Sequence, residues 1–286
     1  MRKIFLRAGW RFVLFVIGAV GLQFLLLSAL GLLHYQWAKG WDAVDFIVSE
    51  GLGIAATLIT MAIAARLERR TFADYWMPFR PASAARWGEG FGWGVALVAA
   101  TFALVLISGG VTIDGFALHG ATLWRTAALW FAAMLLLGIY EESLFRGYPL
   151  VVLARGIGFW PASILMSVLF GALHYFTKPM ENVTDAVTVG LLGLFTCLTI
   201  RRTGSIWFAA GFHTAFNFTS ICTLGSPNTG NAGKPLAEHL LATKWIGPEW
   251  MTGGPRGLEA SAFMFLTLGL AFLLFHLYFR GDGSRY

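Results

Sequence analysis

Apolar residues in this chain fall in runs of about 20, the length of a helix that crosses a bilayer. About eight such runs can be drawn, over 12–33, 44–65, 90–109, 123–145, 159–176, 184–200, 205–223 and 260–279. The fourth has room to continue past Arg146 toward Ala154, with a bend at Pro149 that neighbouring helices can absorb. The expected fold is all-α: a polytopic membrane protein with about eight transmembrane helices. Its parts are N-terminal transmembrane helices (1–122), a core (123–223), a non-cytoplasmic loop (224–259), and a C-terminal helix with its tail (260–286). The loop is rich in Gly, Pro and Asn and reads either as an ordered cap or as a mobile segment. No internal repeat, heptad run or low-complexity tract is present.

Composition supports the membrane reading. Of the residues, 57% are hydrophobic and only 13% charged, about half the charge of a soluble domain. The longest polar stretch, about 35 residues, is too short for a separate core. The net charge of +6 does not point to nucleic acid, because Lys and Arg sit at the ends of apolar runs. Arg2, Lys3, Arg7 and Arg11 precede the first run. Arg66, Arg69, Arg70, Arg80 and Arg86 follow the second, Arg155 the fourth, Arg201 and Arg202 the sixth, and Arg280 and Arg285 the eighth. The positive-inside bias then places both termini in the cytoplasm. The basic N-terminus resembles a signal peptide, but its apolar run is too long and lacks a small-residue cleavage site. It is read as an uncleaved first helix. Short loops and sparse charge suggest a bacterial inner membrane. Cys197 and Cys222 lie in apolar runs without metal or redox spacing and read as packing.

Ionisable residues inside a membrane helix are costly and point to function. Glu141, Glu142 and Arg146 lie in LLLGIYEESLFRGY, His174 ends SVLFGALHY, and His213 and Asn217 lie in WFAAGFHTAFNF. Glu50 is read as interfacial. Glu142 and Arg146 stand four apart, share a helix face and can pair. Glu141 lies about 100° around the helix, free to face a cavity. His213 with Asn217, and Phe170 with His174, repeat the four-residue spacing. Glu141 and His174 lie about 16 residues either side of a turn near Gly158, so a hairpin sets them level. His213 and Asn217 follow the next turn by about 10 and 14 residues. These residues are expected to meet in one site.

Amide hydrolysis needs an attacking group and a stabiliser for the oxyanion. Glu141 can serve as general base toward water, with His174 orienting that water or sharing its proton. His213 and Asn217 can donate to the oxyanion, while Glu142 and Arg146 give structural support. A rival reading makes Glu141, His174 and His213 zinc ligands, although no His-Glu-x-x-His helix is present. Ser143 and Ser167 have no evident triad. Each feature alone has a plain structural reading: an intramembrane ion pair, an interfacial histidine, an interhelical hydrogen bond.

Taken together, Glu-Glu-x-x-x-Arg (141–146), Phe-x-x-x-His (170–174) and His-x-x-x-Asn (213–217) resemble the three motifs of the CPBP family. These are the CAAX-processing and bacteriocin-processing intramembrane peptidases, also called Abi. The resemblance covers roughly residues 123–222 and implies endopeptidase action within the membrane. Glu141 would be the base with His174, and His213 with Asn217 the oxyanion site. It implies a membrane-associated peptide or protein substrate, lipid-modified in eukaryotic relatives, and admits either a metal-free glutamate mechanism or zinc. Two other classes stay open: a proton-coupled transporter, against which the lack of inverted repeats speaks, and a non-catalytic immunity or partner protein.

Overall fold

The computed structural model describes residues 2–38, 40–178 and 180–279, with side chains from Arg7 onward. The side chains of Arg2 and Lys3, and all of Arg280 and Arg285, lie outside the described residues. Long helices follow one another: α1 (Arg2–Leu32), α2 (Ala43–Glu68), α3 (Pro81–Ile107), α4 (Gly120–Arg146), α5 (Tyr148–Ile157), α6 (Phe159–Thr177), α7 (Val183–Thr203) and α8 (Ile206–Asn217). A short α9 (Glu249–Thr252) precedes the closing α10 (Ala262–Tyr278).

Local chemistry sets the ends. The Asp42 carboxylate accepts from Val44 N and Asp45 N to start α2, and Asn182 with Asp185 forms a capping box on α7. The Ser205 hydroxyl caps α8 by accepting from Trp207 N.

Six helical segments among the described residues are long and apolar enough to cross a membrane: Arg7–Leu32, Ala43–Glu68, Pro81–Ile107, Gly120–Ile157, Phe159–Thr177 and Val183–Thr203. The seventh and eighth runs are helical but shorter. α8 gives way to a π-helical turn, Phe218–Thr223, and α10 has 17 residues. The fourth run is broken at Gly147 (φ −75°, ψ −121°), and Pro149 sits inside the first turn of α5. There its missing N–H removes no helical bond, so the expected bend at proline is a break two residues earlier.

α8 is the centre of the bundle, packed on α3, α4 and α7. Its contact with α3 is backbone to backbone, since a Cβ on Gly90 would overlap the Phe208 carbonyl. Only glycine admits that approach. The arginine-bearing ends gather on one face of the bundle: Arg11 and Arg155 both reach Glu68, at 3.8 and 3.5 Å.

At the opposite end the 224–259 segment is an ordered cap. Its strand β2 (Leu241–Trp245) pairs antiparallel with β1 (Val111–Phe116) of the α3–α4 connection. The indole N–H of Trp245 donates to Gly225 O at 3.0 Å, Leu240 N to Cys222 O at 2.8 Å, and Leu258 N to Ser226 Oγ at 2.9 Å. Trp245 is thus part of the cap's scaffold. Cys197 and Cys222 are both free and buried.

Candidate active site

α4, α6 and α8 bring Glu141, Glu142, Arg146, His174, His213 and Asn217 to the wall of one cavity of about 280 Å³. Its apolar walls include Trp41, Phe46, Met134, Phe212 and Ile221. A largely apolar pocket with a few convergent polar groups is the usual form of a small active site.

Glu142 Oε1 accepts from Arg146 Nη1 at 3.3 Å and from His213 Nδ1 at 3.0 Å. The pair is deeply buried, with side chains 0% (Arg146) and 1% (Glu142) exposed. The carboxylate therefore does more than neutralise arginine: it fixes the imidazole of His213. The other ring nitrogen, Nε2, then faces Glu141 Oε2 at 3.6 Å. Glu141 and His213 are the partly open members, 21% and 15% exposed. They stand at the cavity while Glu142 and Arg146 stand behind them.

Phe170 joins the three motifs. Its ring lies under the Arg146 guanidinium, 4.3 Å from centroid to Cζ. It packs against His174 at 4.5 Å and edge-on to His213 at 6.3 Å. A cation over an aromatic face is attracted to it, so Phe170 ties the buried charge to both histidines. Gly193 of α7 completes the seat, because a Cβ there would overlap the guanidinium.

His174 Nδ1 lies 2.9 Å from Phe170 O. A carbonyl only accepts, so Nδ1 carries the proton and Nε2 is left bare as an acceptor. The Asn217 side chain makes no hydrogen bond among the described residues and borders the cavity. It stands where α8 turns π-helical, a distortion frequent at functional sites.

The three residues of the zinc set drawn from the sequence, Glu141, His174 and His213, all border this cavity. His213 Nδ1 is engaged by Glu142 and its Nε2 by Glu141. Among the described residues no group of three or more His, Cys, Asp or Glu is placed to hold a metal ion.

Among the wall residues that sequence reasoning missed are Glu50, Lys178, Asn228 and Glu259. Glu50, read as interfacial, borders the cavity instead, with Oε2 shut off from solvent and unpartnered and Oε1 accepting from Ser49 Oγ at 3.2 Å. Glu259, from the cap, has Oε1 likewise buried and unpartnered. Burial, aided by the nearby carboxylates of Glu181 and Asp185, pushes Glu259 up from 4.5 to about 7. An acid raised in this way contributes stability that is fully present below pH 4.5 and is lost as pH rises to about 7. Glu259→Gln is therefore expected to stabilise the protein at about pH 8, by roughly 1–3 kcal/mol, and to leave it unchanged at about pH 4. Thermal unfolding in detergent at the two pH values measures this; an equal effect at both would refute it.

Long apolar helices make this an integral membrane protein, and its site is built of carboxylates and imidazoles on neighbouring helices. Residues 122–219 match the family model for Type II CAAX prenyl endopeptidase Rce1-like proteins. The matched segment carries the three motifs, and its similarity is to the family that those motifs resemble. No curated protein and no solved structure matches the chain.

Proposed function

We propose that this protein is an intramembrane endopeptidase in which Glu141 activates a water molecule to cleave peptide bonds of membrane-associated or lipid-modified substrates. The observation that carries the reading is the convergence of Glu141, His174, His213 and Asn217 on one cavity, with Glu141 and His213 3.6 Å apart.

Water held between Glu141 and the bare Nε2 of His174 gives its proton to Glu141, and its oxygen attacks the substrate carbonyl carbon. The oxyanion that forms accepts from Asn217 Nδ2–H and from Nε2–H of a protonated His213, whose charge Glu142 offsets on the far side of the ring. The C–N bond then breaks, and the proton on Glu141 passes to the leaving amine. The products are a new carboxyl end and a free amine.

The cavity's walls support entry from the cap end. Trp41, Lys178, Asn228 and Glu259 all come from connections at the cap end, opposite the arginine-rich face. With the arginines cytoplasmic in a bacterial inner membrane, substrate reaches Glu141 from outside the cytoplasm. Full-length protein in right-side-out and inverted vesicles, given peptides with and without a lipidated terminal cysteine, tests both points. Cleavage is expected in right-side-out vesicles. Cleavage confined to inverted vesicles would refute the side. If detergent-solubilised protein, open on both faces, cleaved no peptide, the peptidase reading would fail.

A further inference from the structure

A second polar cavity, of about 410 Å³, lies at the arginine-rich end, where α3 begins and α7 turns into α8. Arg80, Arg86, Arg201 and Arg202 line it with Ser83 and Ser205, and among the described residues no Asp or Glu does. Arg86 pairs at 2.8 Å with Glu89, which is outside the lining. Arg202 Nη2 donates to His276 Nδ1 at 3.0 Å; a neutral acceptor orients the guanidinium without cancelling its charge. Ser83 donates to Pro78 O at 2.6 Å and Thr203 to Thr199 O at 2.8 Å, so these hydroxyls serve their own backbone. What the cavity presents is the guanidinium charge of Arg80 and Arg202, set beside the positive ends of α3 and α8 and the carbonyl end of α7.

Guanidinium forks match phosphate oxygens two at a time, and basic pockets between membrane helices suit anionic headgroups. Neighbouring side chains set the depth. The Trp207 indole N–H donates to Pro78 O at 2.7 Å, and Phe79 packs on Trp207 at 5.6 Å with 65% of its own surface exposed. Aromatic residues of this kind mark the membrane–water boundary, which is where lipid phosphates lie. We propose that this cavity binds the phosphate of an anionic phospholipid. Free phosphate shares the recognition chemistry, but the aromatic rim favours the lipid.

The test uses the full-length protein in a neutral detergent and native mass spectrometry. The probes are dioctanoyl phosphatidylglycerol, dioctanoyl phosphatidylcholine and inorganic phosphate. Phosphatidylglycerol is expected to bind more tightly than phosphatidylcholine. R80Q/R202Q is expected to weaken it about thirtyfold, each surface charge contributing about fivefold. R80K/R202K keeps both charges and loses the forks; it carries the test if the glutamine variant fails to fold, with about fivefold weakening expected. Equal binding of the two lipids, or phosphatidylglycerol binding unchanged in the variants that fold, would overturn the site. Inorganic phosphate binding as tightly as phosphatidylglycerol, through the same arginines, would overturn the lipid assignment.

Discussion

Glu141→Gln is expected to lower peptide cleavage by at least about a thousandfold, the upper range for losing a positioned general base. The substitution is chosen to be nearly isosteric. The amide can still face His213 Nε2, which lies 3.6 Å from the native carboxylate, so packing and melting temperature should hold. What glutamine cannot do is take a proton from water and return it to the leaving amine. Glu142→Gln makes the contrast. That carboxylate is buried behind His213 rather than open to the cavity, so its loss should disturb the imidazole and reduce the rate less. On the metal-free reading, a chelator should leave the native rate unchanged. The rate is read with a substrate the native protein cleaves, with unfolding followed in parallel. If Glu141→Gln kept more than about a tenth of native activity, the assignment of the base would be refuted. Loss of activity on chelation, restored by zinc, would refute the metal-free step alone.

The site was legible because hydrophobic surroundings make charge conspicuous. Glu141, Glu142 and Arg146 lie deep in an apolar run, where each charge is expensive and so informative. Four-residue spacing correctly paired Glu142 with Arg146. It could not show the bond from His213 to the same oxygen, because spacing along one helix says nothing of a neighbour. Glu50 and Glu259 were hidden for a related reason. One stands near a helix start and the other in a polar connection, where acids are commonplace; only the folded cap turns them inward. The β1–β2 pair joins short segments more than a hundred residues apart in sequence, and neither has the alternation and turn signal of a hairpin. The break at Gly147 was masked by Pro149, the stronger sequence mark, although proline is harmless in a first turn. The change to π-helix after Asn217 left no signal, because Phe218–Thr223 (FTSICT) carries no Gly or Pro to mark it.

The buried pair behind the site supplies the second large effect. Arg146→Met is expected to destabilise the protein by about 3–5 kcal/mol, the range for orphaning one member of a buried ion pair. Glu142 would then lose the guanidinium and keep only His213 as a partner, and Phe170 would lose the guanidinium 4.3 Å from its ring. Arg146→Lys should recover part of the loss, restoring charge but not the planar stack over Phe170. The informative variant is the double replacement, Glu142→Gln with Arg146→Met. An apolar or neutral substitute for a buried pair is often nearly neutral for stability, so the double should unfold close to the native protein while its activity stays low. Stability and activity would separate in this way only if the pair exists to hold His213, through the 3.0 Å contact to Nδ1, and not to hold the bundle together. Unfolding in mixed micelles and cleavage of one substrate, measured on the native protein, both singles and the double, give the cycle. A double variant as unstable as Arg146→Met would make the pair a structural strut. A double variant with native stability and native activity would remove it from the mechanism, and with it the reason for Glu142 to stand beside Glu141.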